Sequence, residues 1–219
     1  RWLNEMVILV DPVYNPDGTV APTTVALESV LLEVPFTSQA PFGEWSDKRF
    51  QDGCEETSAM MAVYAMRSLG LTKEQAKEEI LKMAVWQVDK YGSFVDTSAE
   101  DTAERLVKGY FGYEKVRVEA EVTVETIVRE LMMGNLVITP MNGRALGNPN
   151  FTQPGPERHM VVIRGYDVRR KEFITNDPGT RKGEKYRYDE DVFMAAIRDY
   201  PTGDHVPIEG VEKVMIVVG

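Results

Sequence analysis

The main change of hydrophobic period in this chain comes near residue 135, and that change limits the folds open to it. Upstream, apolar residues recur at helical spacing: after Gly53 they are Ala59, Met60, Val63, Met66 and Leu69, with Gly70 expected as the C-terminal cap. Thr72 with Gln75 makes a capping-box pattern before KEEILKMAVWQV, and Thr97 with Glu100 repeats it before DTAERLVKGYFGY. VETIVRELMMGN predicts a fourth helix ending at Gly134 or Asn135. Downstream, LVITP, HMVVIRGYD, EFITNDP and VMIVVG are short β-rich runs, and only YDEDVFMAAIRDY reads as helix. Helices first and strands later predict an α+β fold, with helices packed on one side of an antiparallel sheet.

The first stretch is different. Within residues 1–34, MVILV and TTVALESVLLEV are separated by the turn formers of DPVYNPDGTVAP. Residues 1–32 are read as an N-terminal arm or added strands, and residues 33–219 as one domain. From Pro35 to Phe50 no period is sustained, which suggests a surface loop. No apolar run approaches the ~20 residues of a membrane-spanning helix. A start at Arg1 rather than Met suggests a fragment or processed segment, which leaves room for an upstream leader or anchor that was removed. A formal net charge of −10 opposes attraction to phosphate backbones and anionic lipid, so nucleic acid and membrane surfaces are poor partners.

One cysteine permits neither an internal disulfide nor a cysteine-based zinc site. Cys54 opens a helix behind Asp52-Gly53, where unpaired N–H groups and the positive dipole end favour thiolate. Glu55 and Glu56 oppose this, so a nearby cation is needed; without one, Cys54 is a small buried hydrophobe. Of the two histidines, His205 sits in turn-rich PTGDHVPIEG and is expected to be an exposed loop residue. His159 opens a strand after the long loop 141–158, which is a candidate flap or specificity loop, with Arg144 and Arg158 as solvated charges.

HMVVIRGYD and EFITNDPGT should pair as a hairpin, returning Asn176 and Asp177 toward His159. Side chains alternate across a sheet. A two- or four-residue turn centred on Arg169-Arg170 therefore puts Asn176 on the His159 face, and an odd-length turn puts Asp177 there. Both also suit plain turn chemistry.

VPFTSQAPFGEW, DGCEETSAMMAVYAMRSLG, ERHMVVIRGYD and FITNDPGT together resemble the successive motifs of the bacteriocin-processing-like cysteine peptidases, family thirty-nine of that class, in the papain-like superfamily. The resemblance spans about residues 33–219. It implies a papain-like α+β fold and a metal- and cofactor-free cysteine peptidase. Cys54 would be the nucleophile, His159 the general base and then acid, Asp177 the residue orienting the imidazole, and Gln39 the oxyanion-hole glutamine. Papain relatives that use asparagine keep Asn176 as an alternative. The stretch from Gln39 to Cys54 is longer than in the family, which makes Gln51 the alternative glutamine. Trp45 and Phe42 flank Gln39 and fit packing or a substrate wall. The resemblance further implies a peptide or peptide-like substrate and an extracellular or bacterial-envelope location. Rival functions are an acyltransferase using the same triad and a noncatalytic cell-surface binding module on the same fold.

Overall fold

The computed structural model describes residues 29–210 and 212–219. Most of the expected arm, including MVILV, lies outside the described residues. The elements run β1 (Val30–Leu31), α1 (Lys48–Gln51), α2 (Cys54–Met66), α3 (Lys73–Tyr91) and α4 (Ala99–Asp101), which continues as a π-helical stretch (Thr102–Tyr110). There follow β2 (Val116–Glu119), α5 (Val124–Met132), β3 (Leu136–Met141), α6 (Gly143–Leu146) and β4 (His159–Asp167). The chain ends with β5 (Glu172–Asn176), β6 (Tyr186–Asp189), α7 (Glu190–Ala196) and β7 (Met215–Val218). The strands form one sheet in the order β2-β7-β3-β4-β5-β6, with β1 on β4, and every pairing is antiparallel. This is the α+β architecture the period change predicts.

Every residue of β3 and β7, and all of β4 but its last, is buried, so the central strands are covered on both faces rather than one. α2 and α5 both pack on β3 and β4. Most of α2 is buried around its whole circumference, as expected of a helix whose sequence has apolar or small residues on every side. α3 keeps one apolar stripe inward, through Ala76, Ile80, Met83 and Ala84, and carries the predicted Thr72–Gln75 capping box.

Several boundaries differ from expectation. α2 stops at Met66, and Ser68 (φ 54°) rather than Gly70 takes the left-handed position beyond it. Ser98 caps α4 by accepting from the Asp101 N–H, while the Thr97 hydroxyl turns inward to Thr102. Tyr186–Asp189 pair with β5, so the helix of YDEDVFMAAIRDY begins only at Glu190. Lys48–Gln51 turn helical inside the expected loop, with Asp47 as cap.

The β4–β5 hairpin decides which residue accompanies His159. Its turn has four residues, Val168–Lys171, which alone would put Asn176 on the His159 face. Arg164, however, is an extra residue: Ile163 pairs with Thr175, and the next pair is Gly165 with Ile174. This bulge exchanges the faces beyond it. Val162 pairs with Asn176, so the next position, Asp177, falls on the face of Val161 and His159.

Arg164 is fully buried. Its guanidinium donates to Leu32 O from Nε (3.0 Å) and Nη2 (2.7 Å), and from Nη1 to Val34 O (3.1 Å) and Asn176 Oδ1 (3.2 Å). The Asn176 amide donates to Pro35 O at 3.1 Å. Gly165 permits this approach, since an added Cβ would lie 2.4 Å from Val30 O. The chain from Leu32 onward is thereby clamped beside the β5 end and led to the Gln39 N–H, which donates to Pro178 O at 2.9 Å.

Replacing Arg164 by Ala removes these donors and orphans buried carbonyls. The expected loss is about 3–5 kcal/mol of unfolding free energy, read by urea denaturation. A loss below ~1 kcal/mol would show that water substitutes for the clamp.

Candidate active site

His159 begins β4 opposite Met141 at the end of β3 and is almost fully buried. Its Nε2 lies 2.7 Å from Asp177 Oδ1. Asp177 is wholly buried and saturated: Oδ1 also accepts the Gly179 N–H (2.9 Å), while Oδ2 accepts the Tyr188 hydroxyl (2.5 Å) and the Asn148 amide (3.3 Å). Burial acts to raise this carboxyl, but the neighbouring imidazole, Tyr188 and Gly179 outweigh it and hold Asp177 below the usual carboxylate range. Phe151 meets the imidazole edge-on, with ring centroids 5.2 Å apart. A Cβ on Gly179 would come within 2.8 Å of His159 Cε1, so only glycine leaves the ring its place.

Cys54 is the first residue of α2, behind Gly53. Gly53 has φ −97°, so the glycine is needed for room and not for a left-handed backbone: a Cβ there would sit 2.7 Å from Arg49 O. One turn on, the Ser58 hydroxyl donates to Met160 O at 3.1 Å. Residues i and i+4 share a helix face, so Cys54 lies on the face of α2 turned toward the start of β4. On the same side, the Tyr200 hydroxyl is 2.7 Å from Glu55 Oε1 and 3.5 Å from His159 O.

No cation contacts the thiol among the described residues. Sγ donates to Glu55 Oε2 at 3.1 Å, and burial, followed by the Glu55 and Glu56 carboxylates, pushes it well above its ordinary pKa. These surroundings oppose the thiolate that a helix N-terminus favours. Burial, with Asp96 next, also raises Glu55, to about 7.

The other predicted residues separate. Asn176 faces away from His159 and serves the Arg164 clamp. Gln39 is buried, and its Nε2 donates to Phe50 O (2.9 Å) and Gln51 O (2.7 Å), bracing the loop that leads into Cys54. Its Oε1 is buried without a partner among the described residues. The Gln51 side chain is exposed. Trp45 is 38% and Phe42 52% exposed, the latter beneath Lys77 Nζ, so neither is the packing residue its aromaticity suggested. The His205 side chain is 57% exposed and its Nδ1 lies 3.0 Å from Asp96 Oδ2. Arg158 is largely buried, against Asp96 and Val206 O, not solvated.

Sequence reasoning missed Asn148, Phe151, Tyr188 and Tyr200. Asn148 and Phe151 come from the 141–158 loop, which thus builds part of the site. For Tyr188 the one available signal was its inward position two residues from Tyr186 in a strand pattern; Asn148 and Tyr200 had none.

The family model described as Peptidase_C39 like family matches residues 31–202. Among solved structures, a Bacillus anthracis protein assigned as a C39-like peptidase aligns with a TM-score of 0.52 at 17% identity, over 88% of this chain and 98% of that one. At that identity the likeness is one of fold. None of the curated proteins matches the chain.

Because Glu55 binds its proton more tightly when folded than its ordinary value of 4.5 implies, its contribution to stability is complete below that value and is lost as pH rises through about 7. Glu55→Gln should therefore flatten the fall in Tm between pH 4.5 and 7, as measured by scanning calorimetry.

Proposed function

The chain belongs to the Peptidase C39-like family, and from that premise we infer that it is a cysteine peptidase or amidase acting through Cys54, His159 and Asp177. The observation that carries this reading is the buried His159–Asp177 pair. With Nε2 committed to a carboxylate that three further contacts hold in place, the imidazole has a fixed orientation, and Nδ1 is the ring nitrogen left to take the thiol proton.

The chemistry then proceeds by acyl transfer. The Cys54 proton passes to His159 Nδ1, and the electron pair left on Sγ attacks the carbonyl carbon of the substrate. Negative charge collects on the carbonyl oxygen, next to the N–H groups of the first turn of α2, which Gly53 leaves without a side-chain cap. Gln39, the family glutamine, exchanges one of its two carbonyl bonds to donate to the same oxygen. The C–N bond breaks as His159 returns the proton to the amine, and water activated by His159 hydrolyses the thioester. An exported or envelope-associated bacterial setting belongs to the same reading and rests on the family resemblance.

A noncatalytic binding module is favoured by one observation, the buried thiol bonded to the Glu55 carboxyl. The two readings separate in a peptide-mixture digest followed by mass spectrometry. New termini are expected with the parent protein and none with Cys54→Ala; equal cleavage by both would end the peptidase reading. On a cleaved peptide, Asp177→Ala should lower kcat by roughly 10²–10⁴-fold. Asn176→Ala should instead cost about 1–3 kcal/mol of stability, seen in urea melts, with kcat little changed.

A further inference from the structure

Neighbours in sequence on a helix do not ordinarily face each other. Glu55 nevertheless turns back along α2 so that Oε2 accepts the Cys54 thiol at 3.1 Å, and the side chain is 2% exposed. Its other oxygen accepts the Tyr200 hydroxyl at 2.7 Å, from the segment after α7. A buried carboxylate thus spans the candidate nucleophile and a buried phenol that also lies beside the His159 carbonyl. The groups facing Glu55 are Cys54 and Glu56 on its own helix, Asp96 from the segment before α4, and Tyr200. Asp96 is itself engaged by Arg158 and His205. No cation is in contact with Glu55 among the described residues.

We propose that Glu55 is a positioning residue that clasps the resting Cys54 thiol, with Tyr200 locking the clasp. This rests on the peptidase reading above for its role in turnover. Release breaks the S–H···Oε2 hydrogen bond: the proton leaves Sγ for His159 Nδ1, the electron pair stays on Sγ, and Glu55 is unchanged. While charged, Glu55 works against the thiolate through a buried contact where water screens little. Removing its charge frees the nucleophile.

Iodoacetamide alkylation followed against pH tests this, because Cys54 is the chain's one cysteine. Glu55→Gln is expected to lower the midpoint by about one pH unit or more and to raise the rate at pH 7 about tenfold, with circular dichroism reporting the fold. A midpoint within about 0.3 unit of the parent overturns the clasp. His159→Ala in the same assay reads the other hypothesis: a midpoint insensitive to His159 but lowered by Glu55→Gln removes the peptidase pair and leaves the clasp standing. Should Glu55→Gln fail to fold, the S–H stretching band of the parent decides. A band that moves to lower frequency as Glu55 ionises supports the clasp, and a band at the position of a free thiol at every pH overturns it.

Discussion

A single buried guanidinium sets the geometry on which the rest of the site depends. Arg164 is the extra residue of the β4–β5 bulge, and by being extra it moves Asp177 onto the face of His159 and Asn176 onto its own. Its five-donor fork then ties the strand end to the incoming chain at Leu32 and Val34. Without the bulge, Asn176 would stand on the His159 face. Without the fork, the chain leading to Gln39 would lose its side-chain ties at Leu32 and Val34 and keep only its pairing with β4 and its bonds to Asn176 and Pro178. Register and approach meet at this one residue, whose buried donors are satisfied there by Leu32, Val34 and Asn176.

The two ends of the candidate site differ in electrostatics. At the imidazole end, donors from a loop, a strand and a turn converge on Asp177, so a wholly buried carboxylate is kept charged. At the thiol end, among the described residues, the sulfur meets the buried Glu55 carboxyl and no cation, and burial with the neighbouring Glu55 and Glu56 raises its pKa. Burial is common to both; the difference lies in what the buried group faces. Gly53 and Gly179 carry much of the steric precision, each because a carbonyl or a ring occupies the space a methyl group would need.

Much of this was legible as pattern. The capping box of α3, the run of α5 and the hairpin of β4 and β5 follow from spacing and turn chemistry. Cys54 and His159 stood out because there was one cysteine and one histidine at a strand start. Gly70 misled because helix ends are decided by local packing, and Ser68 took the left-handed turn first. YDEDVFMAAIRDY misled because its first residues had a strand edge to pair with, which outweighed helical spacing.

What the sequence determined alone were quantities of short range: where helices and strands occur, that the sheet is antiparallel, and which side chains have the chemistry for nucleophilic catalysis. Strand parity left the choice between Asn176 and Asp177 open, and the family resemblance alone favoured Asp177, because parity in a hairpin changes with one inserted residue and nothing local to Arg164 announces a bulge. The partners Tyr188, Asn148 and Tyr200 were equally hidden, lying 11 to 145 positions from the groups they bond. Only the folded chain could decide them, since a contact between distant residues is set by the packing of every element between them. The upward push on the Cys54 pKa came from there too: the helix dipole can be read from the chain, but burial and the turn of Glu55 toward the sulfur exist only in the tertiary structure.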